Sequence, residues 1–165
     1  MHVKRILPLS FLVLGGLVSA VGAVEQAPAV RHQLEVETSG GKVQVRLTVE
    51  NHGEATIYVP REVAAGDELT GRRFEVLEVV GGKAGKPLDY TGMMVKRGAL
   101  TAQDFHPVAP HTMHMNTIDI TPAYAFKQGS GSYEIRYDGP WLADLAQLDA
   151  VRHSPAPPVR FSFSP

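Results

Sequence analysis

Residues 43–53 read VQVRLTVENHG and decide the fold class. Every second side chain of this segment is apolar and the intervening ones are polar, which is the pattern of a strand with one buried face and one wet face. The apolar members are Val43, Val45, Leu47 and Val49. The closing Asn51-His52-Gly53 is typical of a turn. The segment therefore predicts one strand of an antiparallel sheet that covers a core on one side.

The same alternation continues on both sides of this segment. Gly40-Gly41 predicts a tight turn after an earlier strand at residues 34–37. Further strands are predicted at residues 57–59, 74–80, 88–90, 93–96, 113–120, 133–137 and 159–163. About seven to nine short strands separated by turns predict an all-β, immunoglobulin-like or fibronectin-like antiparallel sandwich.

Other segments depart from the strand pattern. Residues 60–71 show no periodicity and predict an irregular connection. Residues 141–151 predict one short helix, because three leucines share a helical face; they are Leu142, Leu145 and Leu148. We also predict that the Tyr124 hydroxyl fastens a loop to the sheet, as in a tyrosine corner. Residues 32–165 show no internal repeat and are predicted to form a single β-sandwich domain.

The composition limits the chemistry that the chain can perform. There is no cysteine, which excludes disulfides, thiolate zinc sites and cysteine nucleophiles. The formal net charge of -1 gives no basic footprint for nucleic acid or for an anionic membrane surface. No Gly-x-Ser-x-Gly segment marks a nucleophile elbow. These observations favour binding over catalysis.

The N-terminus predicts export from the cytoplasm. Lys4 and Arg5 precede an apolar run at residues 6–18, and Val21-Gly22-Ala23 follows the small-x-small rule for signal peptidase. We predict a signal peptide at residues 1–23, with cleavage after Ala20 and an uncleaved membrane anchor as alternatives. Residues 24–31 predict a flexible leader. The mature protein is then periplasmic or secreted and makes no membrane contact.

Three stretches resemble a known family: 90–97 (YTGMMVKR) with 101–105 (TAQDF), 119–126 (DITPAYAF) and 131–137 (GSYEIRY). Their order and spacing resemble the N-terminal, non-catalytic β-sandwich region of secreted deuterolysin-like zinc metallopeptidases, the peptidyl-Lys metallopeptidase group. The resemblance implies an accessory, propeptide-like or inhibitory module, and it implies a secreted protease as the partner.

The sequence also departs from that family. Its peptidases carry a His-Glu-x-x-His helix in a separate domain, where two histidines bind zinc and the glutamate activates water. None of the seven histidines here is followed by glutamate. The resemblance thus implies no catalytic residue, and we expect no enzymatic activity. A description as a protease by family resemblance alone is an alternative, as is a hydrolase with an unrecognised site.

A cluster of histidine and methionine is the candidate metal site. His106, His111, Met113 and Met115 lie within ten positions, and thioethers with imidazoles suit copper. In a strand, the last three share one face and His114 lies on the other. The alternative is that the methionines fill the core while the histidines sit on loops or the wet face. We favour this alternative and expect no cofactor, with copper binding kept open.

A basic pair supplies the candidate interaction site. Lys96 and Arg97 lie within the family-like stretch 90–97. Residues 60–72 form a long polar segment, which together with this pair is the candidate contact region. The basic pair predicts a contact surface or a dibasic processing site, and the alternative is a solvated pair at a strand end. The function predicted from sequence is therefore protein–protein interaction by an exported, non-catalytic β-sandwich. The partner is another exported protein.

Overall fold

The computed structural model describes residues 29–96 and 98–165. The predicted signal peptide, most of the predicted leader and Arg97 lie outside these described residues. The strands are β1 Val30–Ser39, β2 Lys42–Asn51, β3 Ile57–Pro60, β4 Glu75–Val80, β5 Lys83–Pro87, β6 Phe105–Val108, β7 Thr112–Asp119, β8 Gly131–Arg136, β9 Pro140–Trp141, β10 Arg152–His153 and β11 Val159–Phe163. The helices are α1 Arg61–Ala64 and two 3₁₀ turns, Ala102–Asp104 and Thr121–Ala123.

The two larger sheets are antiparallel. One has the strand order β1-β2-β7 and the other has the order β11-β8-β4-β5. Two ladders of two strands each, β3 with β6 and β9 with β10, complete the pairing. The β1–β2 hairpin runs in register from Val30 opposite Asn51 to Ser39 opposite Lys42, so the predicted turn at Gly40-Gly41 is confirmed. β1 begins at Val30, within the segment assigned to the leader.

The core lies between the inner faces of these sheets. The alternating apolar residues of β2 are 0–1% exposed; they are Val43, Val45, Leu47 and Val49. They join one cluster with Val76 of β4 and with Tyr133 and Ile135 of β8. The period-2 pattern thus places one apolar face of each sheet inside, and the prediction of an all-β sandwich is confirmed.

The tyrosine-corner prediction is also confirmed. Tyr124 is 3% exposed, and its hydroxyl donates a 2.6 Å hydrogen bond to the carbonyl oxygen of Phe74, just before β4. Burial raises the pKa of the Tyr124 hydroxyl, which therefore stays protonated and remains a donor. The contact joins the turn after β7 to the start of the second sheet.

The predicted helix at residues 141–151 is wrong. Leu142 is fully buried and exchanges backbone hydrogen bonds of 2.8 and 2.9 Å with Tyr58 of β3, which holds it in extended pairing. Tight turns follow, in which Gln147 N–H bonds to Asp144 C=O at 3.2 Å. The Asp144 carboxylate also accepts a bond from Ala146 N–H, an alternative to helical pairing that aspartate commonly offers.

Three other differences concern short elements. Residues 93–96 were predicted as a strand but lie outside any strand, as an exposed loop. The glycine-rich residues 81–87, between the strands predicted at 74–80 and 88–90, contain β5, all of whose residues are exposed. β6 forms in spite of Pro107, because β6 pairs with β3 alone and so tolerates a residue without an N–H.

Candidate functional site

A run of exposed apolar side chains marks the candidate interaction site. Met93, Met94 and Val95 are consecutive, and they are 59%, 78% and 48% exposed. The exposed Lys96 follows them. We call residues 93–96 the methionine loop. Consecutive exposed apolar residues are unfavourable in water and commonly mark an interaction site. The methionine loop therefore differs from apolar residues that are exposed singly.

The backbone of the methionine loop is anchored although its side chains are exposed. The Tyr90 hydroxyl donates a 2.8 Å hydrogen bond to the Met93 carbonyl oxygen, and Val95 N–H bonds to Thr70 C=O at 3.3 Å. Just before the loop, a Cβ on Gly92 would lie 2.8 Å from the Tyr90 hydroxyl oxygen and 3.0 Å from the Ala123 Cα, so a side chain there would displace the tyrosine that anchors the loop. These anchors present the apolar side chains in a preorganised arrangement, which lowers the entropy lost on binding.

The structure places one member of the predicted interaction pair, Lys96, in this region. Lys96 belongs to the methionine loop and is exposed. Arg97 lies outside the described residues. The predicted polar loop at residues 60–72 contains α1 and contributes the Thr70 carbonyl to which the methionine loop is bonded. The methionine loop and the polar segment are therefore adjacent to each other.

The predicted copper ligands fall into separate groups. Met113 and Met115 are 63% and 57% exposed on the outer face of β7, opposite Glu50 and Thr48 of β2. His111 lies in the turn before β7 with a positive φ of 56°, and its Nε2 is 3.1 Å from a carboxylate oxygen of Glu54. The strand face predicted for the two methionines is therefore present, but His111 lies before β7 in a turn, so the alternation that was predicted to place it on that face does not apply to it.

His106 belongs to a different place. Its ring packs against the ring of His114, with centroids 4.1 Å apart, and the His114 Nε2 lies 2.6 Å from the Ala64 carbonyl oxygen of α1. Desolvation, His114 and the Arg61 guanidinium lower the pKa of His106. His114 alternates with Met113 and Met115 along β7, so the histidine pair lies on the opposite face of β7 from the methionines.

The alternative that methionines fill the core is wrong for the described residues. All four of their methionines are exposed, by 57% to 78%. Over residues 29–96 and 98–165, no group of three or more histidine or carboxylate side chains is arranged to hold a metal ion.

Sequence reasoning missed an arginine-lined cleft of about 630 Å³. Arg72 and Arg73 precede β4, and Arg136 ends β8, so the cleft unites positions far apart in the chain. Glu134, two residues before Arg136 in β8, is 6% exposed and bridges the guanidinium groups of Arg136 and Arg160. Hydrogen bonds from these two arginines lower the pKa of the Glu134 carboxyl. The only local signal for this cleft was the adjacent pair Arg72-Arg73.

Comparisons with known proteins leave the family open. No protein-family model matches the chain, and no curated protein matches it. Among solved structures, the chain is similar to the X-ray structure of Northeast Structural Genomics Consortium target SoR45. That similarity has a TM-score of 0.43 and 14% sequence identity, and it covers 83% of this chain and 88% of that one. It carries no information on function, and the resemblance to deuterolysin-like metallopeptidases stays a prediction. No helix in the described part of the chain is long and apolar enough to cross a bilayer.

Proposed function

We propose that this chain is an exported, non-catalytic β-sandwich that acts by binding another exported protein. The observation that carries the proposal is the methionine loop, whose three consecutive apolar side chains are exposed on an anchored backbone. The resemblance in sequence favours a secreted protease as the partner, with this chain as an accessory, propeptide-like or inhibitory module.

The physical chemistry of the loop supports a binding role. Burying a methionine or valine side chain against a partner contributes roughly 1.5–3 kcal/mol each. Methionine is unbranched and polarizable, so Met93 and Met94 can adapt to an irregular apolar surface. Lys96 provides a cation at the rim of the same surface, where it adds specificity more than affinity.

Replacing Met93 and Met94 together with serine is expected to abolish partner capture. The tagged chain is crosslinked in its own exported compartment, and the captured protein is identified and then purified for affinity measurement. We expect the M93S/M94S variant to bind at least tenfold more weakly, because buried apolar anchors carry most of the energy of an interface. Its stability should stay within about 0.5 kcal/mol of the original chain, since both side chains are exposed.

Val80→Ser is the matched control. Val80 is 64% exposed at the end of β4, outside the methionine loop. This variant is expected to capture the same partner with unchanged affinity. Equal losses in both variants would contradict the proposal, as would capture that is insensitive to the methionine loop. Peptide hydrolysis by the purified chain alone would contradict the non-catalytic part.

Copper binding is a second candidate, favoured by the position of Met113 and Met115. Their exposed side chains share one face of β7 and stand two positions apart, which is about 6.6 Å along a strand. Two thioethers at that spacing can approach one cuprous ion, a soft cation that thioethers prefer. His111 lies in the preceding turn with its Nε2 3.1 Å from the Glu54 carboxylate, so it would have to leave Glu54 to become a third ligand.

A cuprous ion titration against a competing chelator tests this second candidate. We expect the M113A/M115A variant to lose at least tenfold in affinity relative to the original chain, because both thioether ligands are removed. The M93A/M94A variant removes the same number of exposed thioethers elsewhere and should bind as the original chain does. Identical affinities in all three proteins would show that β7 holds no copper site.

A further inference from the structure

The arginine-lined cleft has the composition of an anion site with an apolar floor. It opens to solvent between the segment before β4, the end of β8 and the segment before β11. Its volume of about 630 Å³ is within the range of sites that hold small ligands or short peptide segments. Three guanidinium groups line it, from Arg72, Arg73 and Arg136. The lining also contains the carboxylates of Glu75 and Asp138.

The three arginines are not equivalent. Arg136 is bonded to Glu134 at 2.7 Å and lies 3.6 Å from Glu75, and Arg73 forms an ion pair with Glu62. Arg72 is exposed, and within the described residues it forms no ion pair. Its guanidinium is therefore available for a bidentate contact with a ligand carboxylate, the geometry that arginine favours.

Tyr137 forms part of the wall of the cleft. It is 3% exposed, and its hydroxyl is buried without a hydrogen-bond partner among the described residues. Burial raises the pKa of this hydroxyl, which stays protonated. Because solvent in the cleft does not reach the hydroxyl, recognition of a charged ligand falls to Arg72.

We propose that this cleft binds a carboxylate-bearing peptide segment of the partner. Arg72 holds the carboxylate, and Phe74 and Ala156 receive the apolar side chain beside it. Because Arg73 and Arg136 are already paired with carboxylates, Arg72 supplies the positive charge for the ligand, which favours a single negative charge over several. The inference deepens the proposed function, on which it rests, by naming the chemistry of the partner's contact.

Titration calorimetry with acetylated peptides tests the inference. The first peptide ends in Leu-Phe with a free carboxylate, the second is its amidated twin, and the third is amidated but carries an internal glutamate. We expect the original chain to bind the first or the third peptide at least tenfold more tightly than the second. Which of the two binds identifies the source of the carboxylate as a chain terminus or an acidic side chain.

Two variants assign the contacts. Arg72→Ala is expected to weaken binding of the carboxylate peptide about tenfold, since one charge-assisted contact is lost. Tyr137→Phe should leave binding unchanged and raise thermal stability, because it removes a buried hydroxyl that has no hydrogen-bond partner and does not reach the cleft. Arg46→Ala is the control; Arg46 lies on the outer face of β2, paired with Glu35, and its removal should leave binding unchanged.

The result that overturns the inference is absence of binding by every carboxylate peptide, or equal binding of the amidated twin. Equal affinity of the Arg72→Ala variant and the original chain also overturns it. If these outcomes occur while the M93S/M94S variant still loses the partner, only the cleft assignment fails. If partner capture is insensitive to the methionine loop and the peptides still bind, the proposed interface is wrong and the cleft stands.

Discussion

Replacing Gly139 with alanine is expected to destabilise the domain by more than about 4 kcal/mol, an unusually large effect for a single methyl group. Gly139 has a positive φ of 61°, in the left-handed region that a side chain makes unfavourable by about 1–2 kcal/mol. Its Cβ would stand 2.1 Å from the Ser154 carbonyl oxygen and 2.7 Å from His32 Nδ1. These distances are far inside van der Waals contact.

The neighbours of Gly139 cannot move aside easily. His32 is 1% exposed, and its Nδ1 lies 3.0 Å from the same Ser154 carbonyl oxygen. Ser154 N–H in turn bonds to the Gly139 carbonyl oxygen at 3.0 Å. Burial lowers the pKa of His32, so the ring is held in its neutral form within the core. An alanine at position 139 would therefore break the contact between His32 of β1 and Ser154, which follows β10.

Gly129→Ala is the matched comparison for this prediction. Gly129 also has a positive φ, of 83°, but nothing lies within 4 Å of the position that its Cβ would take. We expect Gly129→Ala to lower stability by about 1–2 kcal/mol, the conformational penalty alone. Urea unfolding followed by circular dichroism measures both variants. Similar stabilities would show that the surroundings of Gly139 are not packed as described.

Local patterns allowed the larger part of the fold to be predicted. The β1–β2 hairpin follows from alternation in Val43 to Val49 and from the Gly40-Gly41 turn, all of which are close in sequence. The helix prediction failed at Leu142 because pairing with Tyr58, far away in the chain, overrides the spacing of the leucines. Short-range periodicity carries no information on such a partner.

The candidate sites were less accessible to sequence reasoning. Methionine is apolar, so nothing in the sequence signalled that Met93 and Met94 are exposed. The hydrogen bonds from Tyr90 and to Thr70 that hold the backbone of this loop are visible only in the structure. His106 meets His114 because β6 lies against β7 across the short turn between them, an arrangement that the spacing of the two histidines does not predict. The arginine cleft likewise depends on how β4 and β8 pair.

The second large effect is expected at Asn51, where replacement with alanine should destabilise the domain by about 3 kcal/mol or more. Asn51 ends β2 and is 1% exposed. Its side-chain amide nitrogen donates to the carbonyl oxygens of Ala55, Val108 and Ala109 at 2.9, 3.0 and 3.1 Å. Its side-chain oxygen accepts a 3.0 Å bond from Gly53 N–H. Alanine removes all four of these bonds, and of the three carbonyl oxygens that of Ala109 keeps a 2.8 Å bond from the Thr112 hydroxyl.

An aspartate at the same position tests why Asn51 is needed. Asn51→Asp keeps the oxygen that accepts from Gly53 but places a negative charge against three carbonyl oxygens, so we expect it to be at least as destabilising as alanine at neutral pH. Below about pH 4 the carboxyl becomes protonated and can donate one bond, and the difference in stability between the aspartate and alanine variants should narrow or reverse.

Ser39→Ala, which removes an exposed hydrogen bond to Glu37, is the control and should change stability by less than about 0.5 kcal/mol. If Asn51→Ala unfolds at the same urea concentration as Ser39→Ala, the amide does not join the turn after β2 to the end of β6. The turn predicted from Asn51-His52-Gly53 would then need only its backbone geometry.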